Sequence, residues 1–222
     1  MGSFLVADSI TKGFGFNRVL TDIAITCKTG EITGLLGRNG TGKSTLLKIL
    51  FGTAKADSKF IRIDGKVYDK PYQTSGLIAY LPQDSFVPAQ LTVAKAIQLY
   101  LGKNQIPSFE KDTILNRVLL NQISQLSGGE LRYLEINLLL RLPSKFLLLD
   151  EPFNGLSPVL IDAVKVRISE FCPHKGMIIS DHDYNNVLEI ATRCCLLYDG
   201  SLKDIRGRND LIRWGYLSES SI

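Results

Sequence analysis

A glycine-rich stretch at residues 37–45, Gly-Arg-Asn-Gly-Thr-Gly-Lys-Ser-Thr, constrains this chain more than any other feature. It has the spacing of a phosphate-binding loop, or P-loop. Residues 32–36 before it form a short apolar run, which is typical of a buried parallel strand. Residues 45–51 after it carry apolar side chains at helical spacing, and Gly52 then ends the run. Strand, loop and helix in this order are the context that the motif requires.

The residue types of this loop predict how it would hold phosphate. Glycine permits positive backbone angles, so successive N–H groups can point at one anion near the positive end of a helix. We expect Lys43 to contact the β- and γ-phosphates and Ser44 to offer its hydroxyl to Mg²⁺. A glycine-rich turn that matches by chance is the alternative, which the flanking segments disfavour. The predicted nucleotide-binding residues of the loop are Gly37, Arg38, Asn39, Gly40, Thr41, Gly42, Lys43, Ser44 and Thr45.

Composition places the chain among ordinary globular proteins. Of its 222 residues, 45% are hydrophobic and 22% are charged, as in a soluble domain. The net charge of +4 is too small to argue for nucleic acid, and none is expected as a partner. No apolar run reaches the roughly 18 residues of a spanning helix, and no signal peptide is visible. The four cysteines lack metal-binding spacing and are predicted to be reduced thiols, with a redox pair at Cys194 and Cys195 as the alternative.

Short apolar segments alternate with helical ones, which predicts an α/β fold with a mainly parallel sheet. Strands are predicted at 4–10, 19–27, 32–36, 60–65, 77–81, 145–151 and 176–180, with a closing hairpin at 193–198 and 201–206. Helices are predicted at 45–51, 92–101 and 110–120, from Ser127 to just before Pro143, and from Pro158 onward. Strand signals vanish between residues 84 and 125, so a small helical insert is expected there.

Polar residues follow three further buried strands at the points where these end. They are Gln83, the pair Asp150 and Glu151, and His182. Because the carboxyl ends of parallel strands meet at one edge, we expect these residues to converge on the P-loop. Asp150 is predicted to bind Mg²⁺ together with Ser44 and Gln83. Glu151 would deprotonate or orient the attacking water, and Gln83, His182 and Lys43 complete the catalytic candidates.

A second glycine motif, Leu-Ser-Gly-Gly-Glu at residues 126–130, forms a capping box at a helix start. Together with 37–45, Gln83, the Leu-Leu-Leu-Asp-Glu-Pro run at 147–152 and His182, it appears in the order found in one family. The chain resembles the nucleotide-binding subunit of ABC transporters over residues 3–207. The resemblance implies a P-loop NTPase fold with an N-terminal antiparallel β subdomain and a helical insert.

The resemblance also implies domain bounds, ligands and partners. The nucleotide-binding core would comprise 1–83 plus 137–207, the helical subdomain 84–136, and a short C-terminal tail 208–222. ATP and Mg²⁺ would bind, and ATP would be hydrolysed to ADP and phosphate. A second copy or a homologous subunit would pair head to tail, placing Ser127, Gly128 and Gly129 on the partner's ATP. Phe14 would stack on adenine, with Phe16 as the alternative.

Transmembrane permease subunits are the other implied partners, and a short helix from one would enter the groove formed by Gln83 and the insert. The expected location is the cytoplasmic face of the inner membrane. One departure is Ser157, which stands where the family usually has Asp and leaves communication across the dimer open. Two alternatives remain. A soluble ABC-type ATPase would usually carry two cassettes or long coiled coils, and a non-hydrolysing module would release no phosphate from ATP.

Overall fold

Two β-sheets form the frame of the protein, whose computed structural model describes residues 2–218. The antiparallel sheet has the order β2-β1-β4-β5 and comprises β1 (Phe4–Phe14), β2 (Asn17–Lys28), β4 (Ser58–Ile63) and β5 (Lys66–Val67). The larger sheet has the order β10-β9-β3-β8-β7-β6. Its strands are β3 (Ile32–Leu36), β6 (Ile78–Leu81), β7 (Phe146–Asp150), β8 (Gly176–Ser180), β9 (Arg193–Tyr198) and β10 (Ser201–Ile205). All neighbours in it are parallel except β9 and β10, so the predicted fold class is confirmed.

Seven helices cover the sheets within residues 2–218. They are α1 (Lys43–Phe51), α2 (Val93–Leu101), α3 (Ile106–Glu110), α4 (Gly128–Arg141), α5 (Pro158–Phe171), α6 (Tyr184–Ile190) and α7 (Arg208–Arg213). Helix α1 and the antiparallel sheet share one apolar cluster with one face of the large sheet, and α2, α4 and α5 share another with its opposite face. Strands β3, β7 and β8 are buried along their whole length, which explains their unbroken apolar runs. No helix in this part of the chain is long and apolar enough to cross a bilayer.

The helix predicted at 110–120 is wrong. The only α-helix near this range within residues 102–126 is α3, Ile106–Glu110, and turns with a single 3₁₀ turn at Asn116–Val118 follow it up to residue 120. Asp112 explains the difference because its Oδ1 accepts the backbone N–H groups of Ile114 and Leu115, at 3.0 and 3.1 Å. A side chain that bonds nearby backbone groups competes with helix formation. The apolar spacing of this segment serves a folded loop instead.

The predicted boundary between residues 136 and 137 falls inside α4, which is continuous. The division into core and helical subdomain therefore stays a prediction. At the cysteine pair, both side chains are buried, Cys194 in a cluster with α6 and α7 and Cys195 in the cluster with α1. Neither thiol faces solvent, because β9 is covered on both faces.

Candidate active site

The P-loop joins the end of β3 to the start of α1 and depends on glycine at two close approaches. A Cβ atom on Gly37 would lie 2.8 Å from Thr41 Oγ1 and 3.0 Å from the Leu197 carbonyl oxygen. Gly42 has a φ of 105°, and a Cβ there would lie 2.5 Å from Val19 Cγ1. No other residue type fits either position without moving the backbone. The loop is thus held in one shape by the strands around it.

Lys43 folds back over this loop. Its Nζ donates to the carbonyl oxygens of Gly37 and Arg38, at 2.7 and 3.1 Å. Burial lowers the pKa of Lys43, and the nearby carboxylates of Glu151 and Asp150 act in the opposite direction. The ammonium group therefore sits at the floor of the loop on neutral acceptors, which a phosphate oxygen could replace.

The carboxylate of Asp150 is the centre of a hydrogen-bond network at the end of β7. Its Oδ1 accepts from Ser44 Oγ at 3.1 Å and from Ser180 Oγ at 2.8 Å. Its Oδ2 accepts from the Tyr80 hydroxyl at 2.9 Å. Gln83 Nε2 in turn donates to Ser44 Oγ at 3.2 Å. The three residues predicted to hold a metal thus lie in one connected chain of hydrogen bonds. Tyr80 and Ser180 also belong to this network, but the sequence alone did not predict their part in it.

These oxygens fit a Mg²⁺ site in which the substrate supplies further ligands. Mg²⁺ is usually held by one or two carboxylates together with phosphates and water. Within residues 2–218, no group of three or more acidic, histidine or cysteine side chains could enclose a metal alone. A hydroxyl, an amide and one carboxylate beside a phosphate-binding loop match a Mg²⁺ site that substrate phosphates and water complete.

Glu151 adopts a backbone conformation that is rare for a side chain of its size. Its φ is 50°, in the left-handed region. The conformation is held because its N–H donates to the Ser180 carbonyl oxygen at 2.8 Å. Glu151 lines the P-loop cleft, and its carboxylate accepts from Asn154 Nδ2 at 3.3 Å. This turn separates the directions of the two adjacent acids, as expected if they have different roles.

Arg132 of α4 binds the ends of two strands at once. Its guanidinium donates to the Asp150 and Glu151 carbonyl oxygens at 2.6 and 3.1 Å, and to that of Pro82 at 2.6 Å. Glu135, one turn along the helix, lies 3.5 Å from the same guanidinium. The sequence alone did not predict a role for Arg132, since no motif position marks it. It ties the helix after the second glycine motif to Gln83 and Glu151.

An open cleft of about 550 Å³ lies in front of the P-loop. It brings together most of the predicted site: its lining is Phe14, Val19, Asn39, Gly40, Gly42, Lys43, Ser44, Thr45, Gln83 and Glu151. Phe14 is 58% exposed at its rim, under Lys12 Nζ, and Phe16 is more exposed still. The cleft is wide enough for a nucleotide and carries both an aromatic ring and an anion-binding loop.

Gly37, Arg38 and Thr41 of the loop and the buried Asp150 are not part of that lining, and two predicted groups from other segments also lie outside it. The side chain of His182 is half exposed, with Nδ1 3.3 Å from Asp181 Oδ1, and burial raises the pKa of Asp181. Gly128 lines a separate cleft of about 210 Å³, with Gln83, Arg132 and Glu151 among its other residues. The predicted capping box at Ser127 is present, since its hydroxyl accepts from the Glu130 N–H and its own N–H donates to the Glu130 carboxylate.

The fold and this cleft define a P-loop nucleotide-binding protein. The family model described as ABC transporter matches residues 20–154. The chain therefore belongs to the ABC transporter family, as its ATP-binding, ATP-hydrolysing subunit, and the predicted resemblance is confirmed.

Individual relatives agree with this assignment. The chain is 30% identical over 214 residues to the lipopolysaccharide export system ATP-binding protein LptB of Haemophilus influenzae, covering 90% of this chain and 89% of that one. The protein of the same name from Escherichia coli K12 is 31% identical over 213 residues, with 89% and 88% covered. A solved ATP-binding subunit of an ABC transporter superposes with a TM-score of 0.82 at 25% identity, covering 97% and 95%. A nucleotide-free ATP-binding cassette at 21% identity, with a TM-score of 0.81 and 99% of each chain covered, supports the fold alone.

Proposed function

We propose that this chain binds ATP with Mg²⁺ in the P-loop cleft and hydrolyses it with Glu151 as the general base, to drive transport through separate membrane subunits. The observation that carries this proposal is the alignment of Gln83, Ser44 and Asp150 in one hydrogen-bond chain beside Lys43 and Glu151. Phosphate, metal ligands and base would then meet in one cleft.

Each residue has a defined part in the reaction. The loop amides of 37–45 and Lys43 would hold the β- and γ-phosphates, with Lys43 Nζ leaving its two carbonyl partners. Bound Mg²⁺ would neutralise phosphate charge, held through Ser44, Gln83 and Asp150. Glu151 would take a proton from water as that water attacks the γ-phosphorus and the bond to ADP breaks. His182 would donate to the γ-phosphate after moving toward the cleft, and Phe14 would stack on adenine.

The second cleft supports a dimer. Gly128 stands at the start of the 14-residue helix α4, and such a helix start favours anions. In the described residues it does not line the P-loop cleft. We propose that Ser127, Gly128 and Gly129 contact ATP held by a second, head-to-tail subunit. Transmembrane subunits would dock between Gln83 and the helical subdomain, 84–136, on the cytoplasmic face of the membrane.

Substitution of Glu151 tests the catalytic assignment. Glu151→Gln should retain ATP binding, lose phosphate release by roughly a hundredfold or more, and accumulate an ATP-bound dimer on size-exclusion chromatography. Lys43→Ala is the matched control, which should lose binding as well as turnover. Normal phosphate release by Glu151→Gln would overturn the general-base assignment. Absence of ATP binding by the unsubstituted chain would overturn the proposed site.

A further inference from the structure

The C-terminal segment, defined here as residues 207–218, packs beside the active site. Leu211 of α7 is fully buried in a cluster with Leu36, the last residue before the P-loop, and Val187 of α6. Helix α6 begins two residues after His182. The segment therefore shares one apolar cluster with the strand that carries the P-loop and with the helix that follows His182.

Arg38 links the P-loop directly to this segment. Its Nη2 donates to the Gly215 carbonyl oxygen at 2.7 Å. The carbonyl oxygen of the same Arg38 accepts from Lys43 Nζ at 3.1 Å and from Thr41 Oγ1 at 2.9 Å. One residue thus contacts the phosphate-binding lysine through its backbone and the C-terminal segment through its side chain.

Tyr216 forms a second link, to the loop that follows β8. Its hydroxyl donates to the His182 carbonyl oxygen at 3.3 Å. Its ring packs edge-on against Tyr184, with centroids 6.2 Å apart. The hydroxyl is therefore held over the backbone of the residue that is expected to reach the γ-phosphate.

We infer that the C-terminal segment is a positioning element that couples the P-loop to the His182 loop, with Arg38 and Tyr216 as its positioning residues. The inference rests on the proposed function, because it needs a nucleotide that draws Lys43 away from the Arg38 carbonyl oxygen. Loss of the hydrogen bond from Lys43 Nζ to this carbonyl lets the backbone of Arg38 move. The guanidinium of Arg38 then transmits the movement to Gly215. Tyr216, the next residue, then shifts the backbone of His182.

The chain contains an intrinsic fluorophore that can report this movement. Trp214, its single tryptophan, lines a cavity of about 350 Å³ together with Arg38 and Thr41. Its ring lies 5.9 Å from that of Tyr198 and 5.1 Å from Lys203 Nζ. A change in the Arg38–Gly215 contact alters the surroundings of this indole.

The first test is a titration of the full-length chain with ATP and Mg²⁺, with tryptophan emission recorded and binding measured separately by displacement of a fluorescent nucleotide. We expect the emission change to saturate at the same nucleotide concentration as binding. Arg38→Met, which keeps side-chain length without a donor, should lose most of the emission change when the two proteins are compared at equal nucleotide occupancy, which the displacement assay measures. Binding without any emission change in the unsubstituted chain would overturn the inference and leave the proposed function intact. Absence of binding would instead overturn the proposed function.

The second test separates positioning from general stability. Tyr216→Phe should lower kcat by roughly threefold to tenfold, as expected for one lost hydrogen bond, while KM for ATP stays unchanged. Tyr198→Phe is the matched control: it removes a hydroxyl from a ring that packs on Trp214 rather than on the His182 loop, and kcat should be unaffected. Equal kcat values for Tyr216→Phe and the unsubstituted chain would refute the role of Tyr216, as would a parallel fall in both variants.

Discussion

The carboxylate of Asp150 lies wholly out of contact with solvent, and three hydroxyl groups surround it. A buried charge is tolerated when donors satisfy it. Burial and the proximity of Asp150 raise the pKa of Tyr80, so its hydroxyl stays protonated and donates to Oδ2. Tyr80 thereby fixes the rotation of the carboxylate and directs Oδ1 toward Ser44.

Tyr80→Phe tests this orientation. Loss of one hydrogen bond should raise the Mg²⁺ concentration for half-maximal ATPase activity by roughly threefold to tenfold. Tyr72→Phe is a suitable control because both tyrosine rings pack on Phe51 with centroids 5.4 Å apart. The measurement is phosphate release against Mg²⁺ concentration at saturating ATP. Superimposable Mg²⁺ curves for the Tyr80 variant and the unsubstituted chain would rule out the proposed orientation.

The sequence predicted only part of the hydrogen-bond network around Asp150. Ser44, Gln83 and Asp150 hold fixed places in motifs, so their type and spacing predicted a shared site. Tyr80 and Ser180 reach Asp150 because β6 and β8 flank β7 and because Asp150 lies opposite Ser180 in the register. No local pattern encodes which strands are neighbours. The roles of these residues therefore became visible only when the strand order was known.

The turn around Asp112 connects the helical insert to the helices that pack against it. Beyond the two backbone N–H groups, Asp112 Oδ2 accepts from the Tyr133 hydroxyl at 2.8 Å and from Arg167 Nη2 at 2.9 Å. It thus joins the insert to α4 and α5. The apolar spacing of 110–120 is compatible with a helix or with this turn. Arg167, which helps to hold the Asp112 carboxylate in this turn, lies 55 residues away in sequence, beyond the reach of any local pattern.

We expect Asp112→Asn to lower the free energy of unfolding by about 3 kcal/mol, the lower end for a broken buried ion pair. The lower end applies because the Arg167 side chain is 26% exposed and retains some hydration. Asp162→Asn, which changes an exposed acid on the same helix as Arg167, should change stability little. Urea unfolding near neutral pH measures both. A loss in the Asp112 variant no greater than in the control would contradict the assigned network.

The carboxylate of Asp112 should also make the free energy of unfolding depend on pH in the acid range. Burial by itself would raise the pKa of Asp112, but hydrogen bonds from Leu115, Tyr133 and Arg167 outweigh it and hold the pKa below its usual value. Its stabilising contribution is therefore complete above the unfolded pKa, about 3.9, and is lost as pH falls through the lower folded pKa. The gap in stability between the unsubstituted chain and Asp112→Asn should narrow below about pH 4. A difference in stability that widens as pH falls would show that the pKa of Asp112 is shifted in the opposite direction.

At the scale of the whole molecule, the P-loop and the second glycine motif line different clefts. If two chains pair head to tail, each ATP site combines Lys43 and Glu151 of one chain with Gly128 of the other. A side chain at Gly128 meets open space, since a Cβ atom there would have no other group within 4 Å. Gly128→Asp should therefore fold normally while repelling phosphate.

Mixing variants tests this arrangement. Lys43→Ala and Gly128→Asp should each be inactive alone, whereas an equal mixture should recover about a quarter of the original ATPase activity, since half of the dimers have one intact site of two. A mixture of Lys43→Ala with Glu151→Gln should stay inactive, because both residues belong to the same half of each site. Phosphate release measures all of the mixtures. No recovery in the first mixture would refute the shared sites.

The position of β3 has a consequence for biosynthesis. This strand lies between β8 and β9, pairing Ile32 with Met177 and Leu36 with Leu196. Both neighbours come from the last quarter of the chain, whereas the P-loop leaves the ribosome early. Until residues 176–198 have been translated, both edges of β3 lack their partners and the loop has no rigid base. A nascent chain therefore cannot hold the P-loop on its paired strands until residues 176–198 have been translated.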